Sequence, residues 1–223
     1  MPVAPASASA QPGTRERLIA AMTDALRRRG FHGIGLTELL ALAGAPKGVL
    51  YHHFPGGKTE LAVAAIEDVV ARMLRGLDAL LATTPDPVRA MHLWMGSATA
   101  RLAESGFESG CPLATVALET TPEDAALREA LARAFATLRS RIASSLEQHG
   151  EPPAQAHALA ALVVASYEGG LLQARVAQSH APIVQATQAL LDLLAARLAL
   201  SSPSGTDLSG PQPVQTAPPG TPP

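Results

Sequence analysis

From Arg15 to about residue 199, apolar side chains recur every three to four positions, and Gly or Pro repeatedly cuts the pattern. That interval is the repeat of one face of an α-helix, whereas a half-buried strand alternates every second residue. The interrupted period predicts helices at about 15–29, 36–43, 46–53, 58–81, 87–104, 113–120, 123–149, 154–177 and 182–199, with no strand between them. Composition agrees. Apolar residues make up 47% of the chain but aromatics only 3%, so Ala, Leu and Val carry the burial. Ala and Leu are strong helix formers, while sheets favour β-branched and aromatic residues. The fold class expected is all-α. Residues 1–13 lack any period, and 201–223 carry seven Pro and three Gly. They are expected to form a disordered arm and a disordered Pro-rich tail, because neither can bury enough surface to offset the entropy of ordering.

Charge is unevenly placed. Residues 14–60 hold seven basic side chains against four acidic ones, a balance of +3, and the rest of the chain stands at −5. A basic N-terminal piece on an acidic body suits a protein that meets phosphate at one end. One cysteine, Cys111, excludes an intramolecular disulfide. Charges break the hydrophobic stretches before the roughly 18 residues of a membrane span, and the N-terminus lacks the basic and apolar regions of a signal peptide. The expectation is a cytoplasmic protein with no membrane partner.

The most informative segment is GLTELLALAGAPKGVLYHHFPGGKTEL, residues 35–61. Two short helices joined by a Gly-containing turn, behind a supporting helix, make a helix-turn-helix whose second helix enters the major groove. Gly35 can cap the first short helix, Gly44 can end it, and Pro46 fits the first turn of the next. Leu39, Leu40 and Ala43 can pack inward, as can Leu50 and Phe54, four residues apart. Lys47, Gly48, Val49, Tyr51, His52 and His53 then face outward as a mixture of donors, a phenol and small groups. Such a face touches phosphates, base edges and thymine methyls.

This segment closely resembles the DNA-binding domain of the tetracycline-repressor (TetR) family. The Gly-Ala-Pro-Lys-Gly run and the Phe-Pro-Gly-Gly-Lys turn resemble the multidrug- and flavonoid-responsive LmrA/YxaF-like branch. That branch carries a Gly-Cys-Pro-Leu-Ala run, here residues 110–114. The resemblance implies an N-terminal three-helix DNA-binding domain at 14–60 and a helical effector-binding and dimerisation domain at 61–200. It places Lys47, Gly48 and Val49 near base edges and Tyr51 and His53 near the DNA backbone, with His52 between. Thr37 can reach DNA from the first short helix, and Lys58 would meet a phosphate at the N-terminus of the long helix. Gly35 and Pro46 stand where many relatives carry Ser or Thr, so contacts at those caps are altered. The resemblance also implies a homodimer through about 154–200 on a near-palindromic operator of double-stranded DNA, its half-sites roughly 34–36 Å apart.

A repressor of this kind would be released by a small apolar or aromatic effector. Met91, Trp94, Met95, Cys111 and Tyr167 are the candidate ligand contacts. Trp94 and Tyr167 are two of seven aromatics, the methionines flank Trp94, and Gly110-Cys111-Pro112 and Gly169-Gly170 interrupt helices that would otherwise close up.

Rival motifs carry less. Gly57-Lys58-Thr59 ends like a phosphate-binding loop, but His52 occupies the required glycine position. Adjacent His52 and His53 point about 100° apart on a helix and do not form an i, i+4 metal pair. Cys111 is the one candidate nucleophile, and a small buried packing residue is its simpler role. No catalytic residue, metal or cofactor is expected. The alternatives are a small-molecule-binding protein or enzyme with a vestigial DNA-binding end, and an effector-independent DNA binder or activator.

Overall fold

A computed structural model describes residues 13–201, so the expected arm and tail lie outside the described residues apart from Gly13 and Ser201. Among the described residues all regular structure is helical: α1 Thr14–Arg29, α2 Leu36–Ala43, α3 Lys47–His53, α4 Gly57–Thr83, α5 Pro87–Glu104, α6 Pro112–Glu119, α7 Ala125–Glu147, α8 Pro153–Ala177 and α9 Ala181–Ser201. The all-α expectation holds.

Proline sets several helix starts. Pro87, Pro112 and Pro153 each occupy the first helical turn, where the missing N–H costs nothing. Asp86 caps α5 by accepting from the Val88 amide at 2.9 Å. Pro46 differs slightly from expectation. It precedes α3 as the cap itself, and its carbonyl accepts from the Val49 and Leu50 amides at 3.0 and 3.4 Å.

Helices α1 to α3 form a small head, with Leu18, Met22, Leu26, Leu39, Leu50 and Phe54 sealed inside. The long helix α4 belongs to two packing layers, since it lies against α1 in the head and against α5 and α7 in the body. Helix α7 packs on α8, α8 on α9, and α6 reaches back to touch α1.

Helices α8 and α9 cross closely at Gly170. A Cβ there would lie 2.9 Å from Ile183 Cγ1 and 3.2 Å from its Cα. Gly170→Ala should therefore destabilise the chain by about 1–2 kcal/mol, the overpacking strain exceeding the helix-propensity gain. Gly96→Ala, with open space around its Cβ position in α5, should instead stabilise by about 0.5–1 kcal/mol. Urea midpoints would check both signs, and a stabilised Gly170→Ala protein would refute the close crossing.

The outer side of this helix pair is apolar and uncovered. Leu162, Leu172 and Val176 of α8 and Val184, Leu193 and Leu200 of α9 are all exposed, Val176 and Leu200 by 80% and 82%. Single exposed leucines are ordinary, but Leu162, Leu172 and Val176 share the outer face of α8, and Leu193 and Leu200 share one face of α9. Residues Ala181–Leu200 have the length and mean hydropathy, 1.4, of a membrane span, but Asp192 and Arg197 break them as the sequence reading expects. In the fold this helix buries Ile183, Leu190, Leu191 and Leu194 on its inner side.

Candidate nucleic-acid interface and body cavity

The face of α3 follows from its two buried anchors. Leu50 and Phe54 are sealed into the head, so the helix turns Lys47, Gly48, Tyr51 and His52 outward, with Val49 and His53 at the edges. Gly44 holds the sharp turn before it, at φ 57° and ψ 39°, and its amide donates to the Ala41 and Leu40 carbonyls. L-residues with a Cβ resist that left-handed conformation. No Cβ would meet anything within 4 Å at Gly48, so a surface can approach the α3 backbone there. The Tyr51 ring lies against Gly57, and the His52 and His53 rings meet edge to face at 5.1 Å. Thr37 is exposed in the first turn of α2. Six of the residues singled out from the sequence thus lie on or beside α3, and Thr37 on its partner helix.

Lys58 is placed differently. Its ammonium donates to the Phe31 carbonyl at 2.6 Å and sits 4.3 Å from the centre of the Phe31 ring. Partial burial lowers its pKa, opposed by the nearby Glu119 carboxylate. The turn after α1 is gripped from the other side as well. Glu119, at the end of α6, accepts from the Phe31 and His32 amides at 2.7 and 3.1 Å, and the His32 ring lies 3.3 Å from Asp124. Gly30 makes this possible, because at φ 75° a Cβ would collide with the Glu119 carboxylate. Residues 30–32 are therefore clasped between α4 and α6. No sequence pattern flagged Glu119, since its partners are backbone amides 87 and 88 residues away.

The body holds a cavity of about 630 Å³ among α1, α4, α5, α6 and α8, lined by Met73, Trp94, Ala98, Cys111 and Tyr167 among others. Trp94 donates its indole N–H to the Met73 carbonyl at 3.1 Å and stacks on Tyr167, ring centres 4.9 Å apart. Three of the five candidate ligand contacts, Trp94, Cys111 and Tyr167, therefore converge. Met91 and Met95 do not. They are buried in the core outside the lining, and Met73 of α4 takes the methionine position there.

A smaller hollow of about 210 Å³ lies on the other side of Cys111, between α6 and α8. Glu168 borders it. The Cys111 thiol donates to Glu168 Oε1 at 3.2 Å, while Oε2 is sealed from solvent with no hydrogen-bond partner. Burial disfavours the carboxylate and pushes the Glu168 pKa up to about 7. Burial also raises the Cys111 thiol well above its usual range, reinforced by Glu168. Cys111 is held protonated and packed rather than poised as a thiolate. The signal that marks Glu168 in the sequence is its isolation, as the one acidic residue in the 25-residue α8.

A supported helix-turn-helix with an exposed second helix, joined to an all-helical body around a cavity, defines a DNA-binding transcription regulator. Residues 18–65 match the family profile of bacterial regulatory proteins, tetR family, and residues 87–189 match that of the transcriptional regulator LmrA/YxaF-like C-terminal domain. The chain is 31% identical over 192 residues to the HTH-type transcriptional repressor NemR of Escherichia coli (strain K12), covering 82% of this chain and 94% of NemR. It is 29% identical over 181 residues to the HTH-type transcriptional regulator LmrA of Bacillus subtilis (strain 168), covering 81% of this chain and 96% of LmrA. Its fold is similar to the crystal structure of regulatory protein TetR from Rhodobacter sphaeroides, with TM-score 0.71 and 27% identity over 80% of this chain and 97% of that one. The chain belongs to the TetR family of transcriptional regulators. It is a regulator and not an enzyme.

Proposed function

We propose that this regulator is a repressor that binds a near-palindromic operator as a homodimer and leaves it when a small ligand with an apolar body enters the larger cavity. The observation that carries the DNA-binding part is the outward face of α3, where Lys47, Gly48, Tyr51 and His52 stand exposed over a backbone open at Gly48. Lys47, Gly48 and Val49 take the base edges, and Tyr51 and His53 the phosphates, with His52 and Thr37 alongside. Lys58 acts at one remove, steadying the turn after α1 through Phe31. The name of NemR supports repression, and the uncovered apolar side of α8 and α9 supports a dimer paired through about 154–200. Such a protein works in the bacterial cytoplasm, where the chromosome is.

The cavity suits a switch because α1 and α4 both line it and both carry the head. Only a ligand that binds one head position better than another can shift the equilibrium.

The test is binding to DNA from the region upstream of its own gene, against shuffled DNA, over a range of salt. Affinity for the genuine site should fall steeply with salt as counterions are released. Tyr51→Ala should weaken binding to every sequence. Lys47→Ala should cost about 1–3 kcal/mol of discrimination at one or two base pairs. Equal affinity for both DNAs at every salt concentration would end the operator reading.

A further inference from the structure

The larger cavity has an aromatic floor and a cationic mouth. Trp94 and Tyr167 lie below, while Arg27 from the last turn of α1, Arg72 from α4 and Arg101 from α5 reach the rim. Arg28 is also at the rim but is engaged, pairing with Asp24 at 3.1 Å and Glu108 at 2.8 Å. Arg72 pairs with Asp68. Arg101 donates to the Ser97 hydroxyl at 3.2 Å and, like Arg27, has no carboxylate partner among the described residues. Two acids line the same opening, Asp24, which Arg28 holds, and Glu104. With Arg28 and Arg72 held in ion pairs, Arg27 and Arg101 are the two rim cations left to face the opening, against the single carboxylate of Glu104. Burial lowers the Arg72 pKa, and repulsion from Arg27 and Arg75 lowers it further. The fields of Arg101 and Arg27 also reach the Tyr167 hydroxyl.

We infer that the effector is an anionic amphipath, with an apolar or aromatic body on the Trp94–Tyr167 stack and an ionised acid group held by Arg27 and Arg101, beside the Asp68-paired Arg72. This rests on the cavity being the effector site proposed above, and it adds an acid group to the apolar or aromatic ligand expected from the sequence. Guanidinium groups suit the task, since their planar forks bind oxyanions with paired, charge-assisted hydrogen bonds. The volume of about 630 Å³ lies within the roughly 300–1,000 Å³ of small-molecule sites. The arrangement also supplies a coupling. Arg27 belongs to the head and Arg101 to the body, so an anion shared between them binds best at one spacing of α1 and α5.

The full chain can be tested with two probes that share one ring system, the anion 8-anilino-1-naphthalenesulfonate and the neutral N-phenyl-1-naphthylamine. Energy transfer from Trp94, the one tryptophan, reports binding in this cavity. The anion should bind about tenfold more tightly than the neutral probe, and that advantage should shrink as salt rises. Arg27→Gln and Arg101→Gln should each weaken the anion about fivefold or more and leave the neutral probe unchanged. Arg89→Gln, exposed on α5 away from the opening, should alter neither. Equal binding of both probes with energy transfer, or arginine variants that leave the anion's affinity intact, would overturn the anionic ligand while keeping the cavity as the site. Absence of energy transfer with either probe would overturn both.

Discussion

A Leu172→Glu, Leu193→Glu double variant should run as a monomer and lose about a thousandfold or more in operator affinity. Both leucines are exposed in the single chain, by 48% and 62%, so the substitutions remove no core contact and the helical content should persist. In a dimer joined through α8 and α9 they would place four carboxylates in one apolar seam, at several kcal/mol per desolvated ion. The DNA effect follows from tethering. Two heads held together bind two half-sites as one unit, and avidity of this kind is worth about 10² to 10⁴ over a single head. Gly169, facing the same outer side with open space around its Cβ position, lets a partner helix come close. Sedimentation and anisotropy on one operator fragment would read both effects. A double variant that remains dimeric would move the interface elsewhere.

The second large effect concerns pH. Glu168 is held near pKa 7 by burial, against a carboxyl value of 4.5 when solvated. Between those values the folded chain keeps a proton that the unfolded chain has released, so raising pH favours unfolding. The stability tied to this proton is fully present below about pH 4.5, drains away as pH rises toward 7, and changes little beyond. The total is of order 3 kcal/mol. Glu168→Gln has no proton to lose, so its stability relative to the parent should improve by roughly that amount from pH 4.5 to 8. Denaturant melts of both proteins across that range provide the check, and parallel pH profiles would place Glu168 in solvent.

The fold was largely legible because helical period and Gly/Pro punctuation act over a few neighbouring residues. The segment from Gly35 to Phe54 shows this best: Gly44, Leu50 and Phe54 dictate the turn and the outward face of α3 without help from the rest of the chain. The cavity was half legible. Trp94, Cys111 and Tyr167 stand out as rare residues, and they do meet. Met91 and Met95 are candidates because they flank Trp94 in the chain, but both are buried in the core, and Met73 from α4 lines the cavity instead. What stayed hidden depends on distant segments meeting in space. The rim joins Arg27, Arg72 and Arg101 from three helices, and the α1 turn joins Phe31 to Lys58 and Glu119. In the sequence, Arg27 belongs to a basic N-terminal piece facing DNA. In the fold, it faces the cavity.

The clasp on residues 30–32 bears on how such regulators can be recombined. Its holders, Lys58, Glu119 and Asp124, are spread over α4, α6 and the start of α7, so the head and body are not interchangeable cassettes divided at residue 60. A hybrid that grafts another head onto this body would present Glu119 with a foreign turn. Any residue larger than glycine at position 30 would then strike its carboxylate. A working chimera needs its junction drawn through these contacts, carrying residues 30–32, 58 and 119 as one inherited unit.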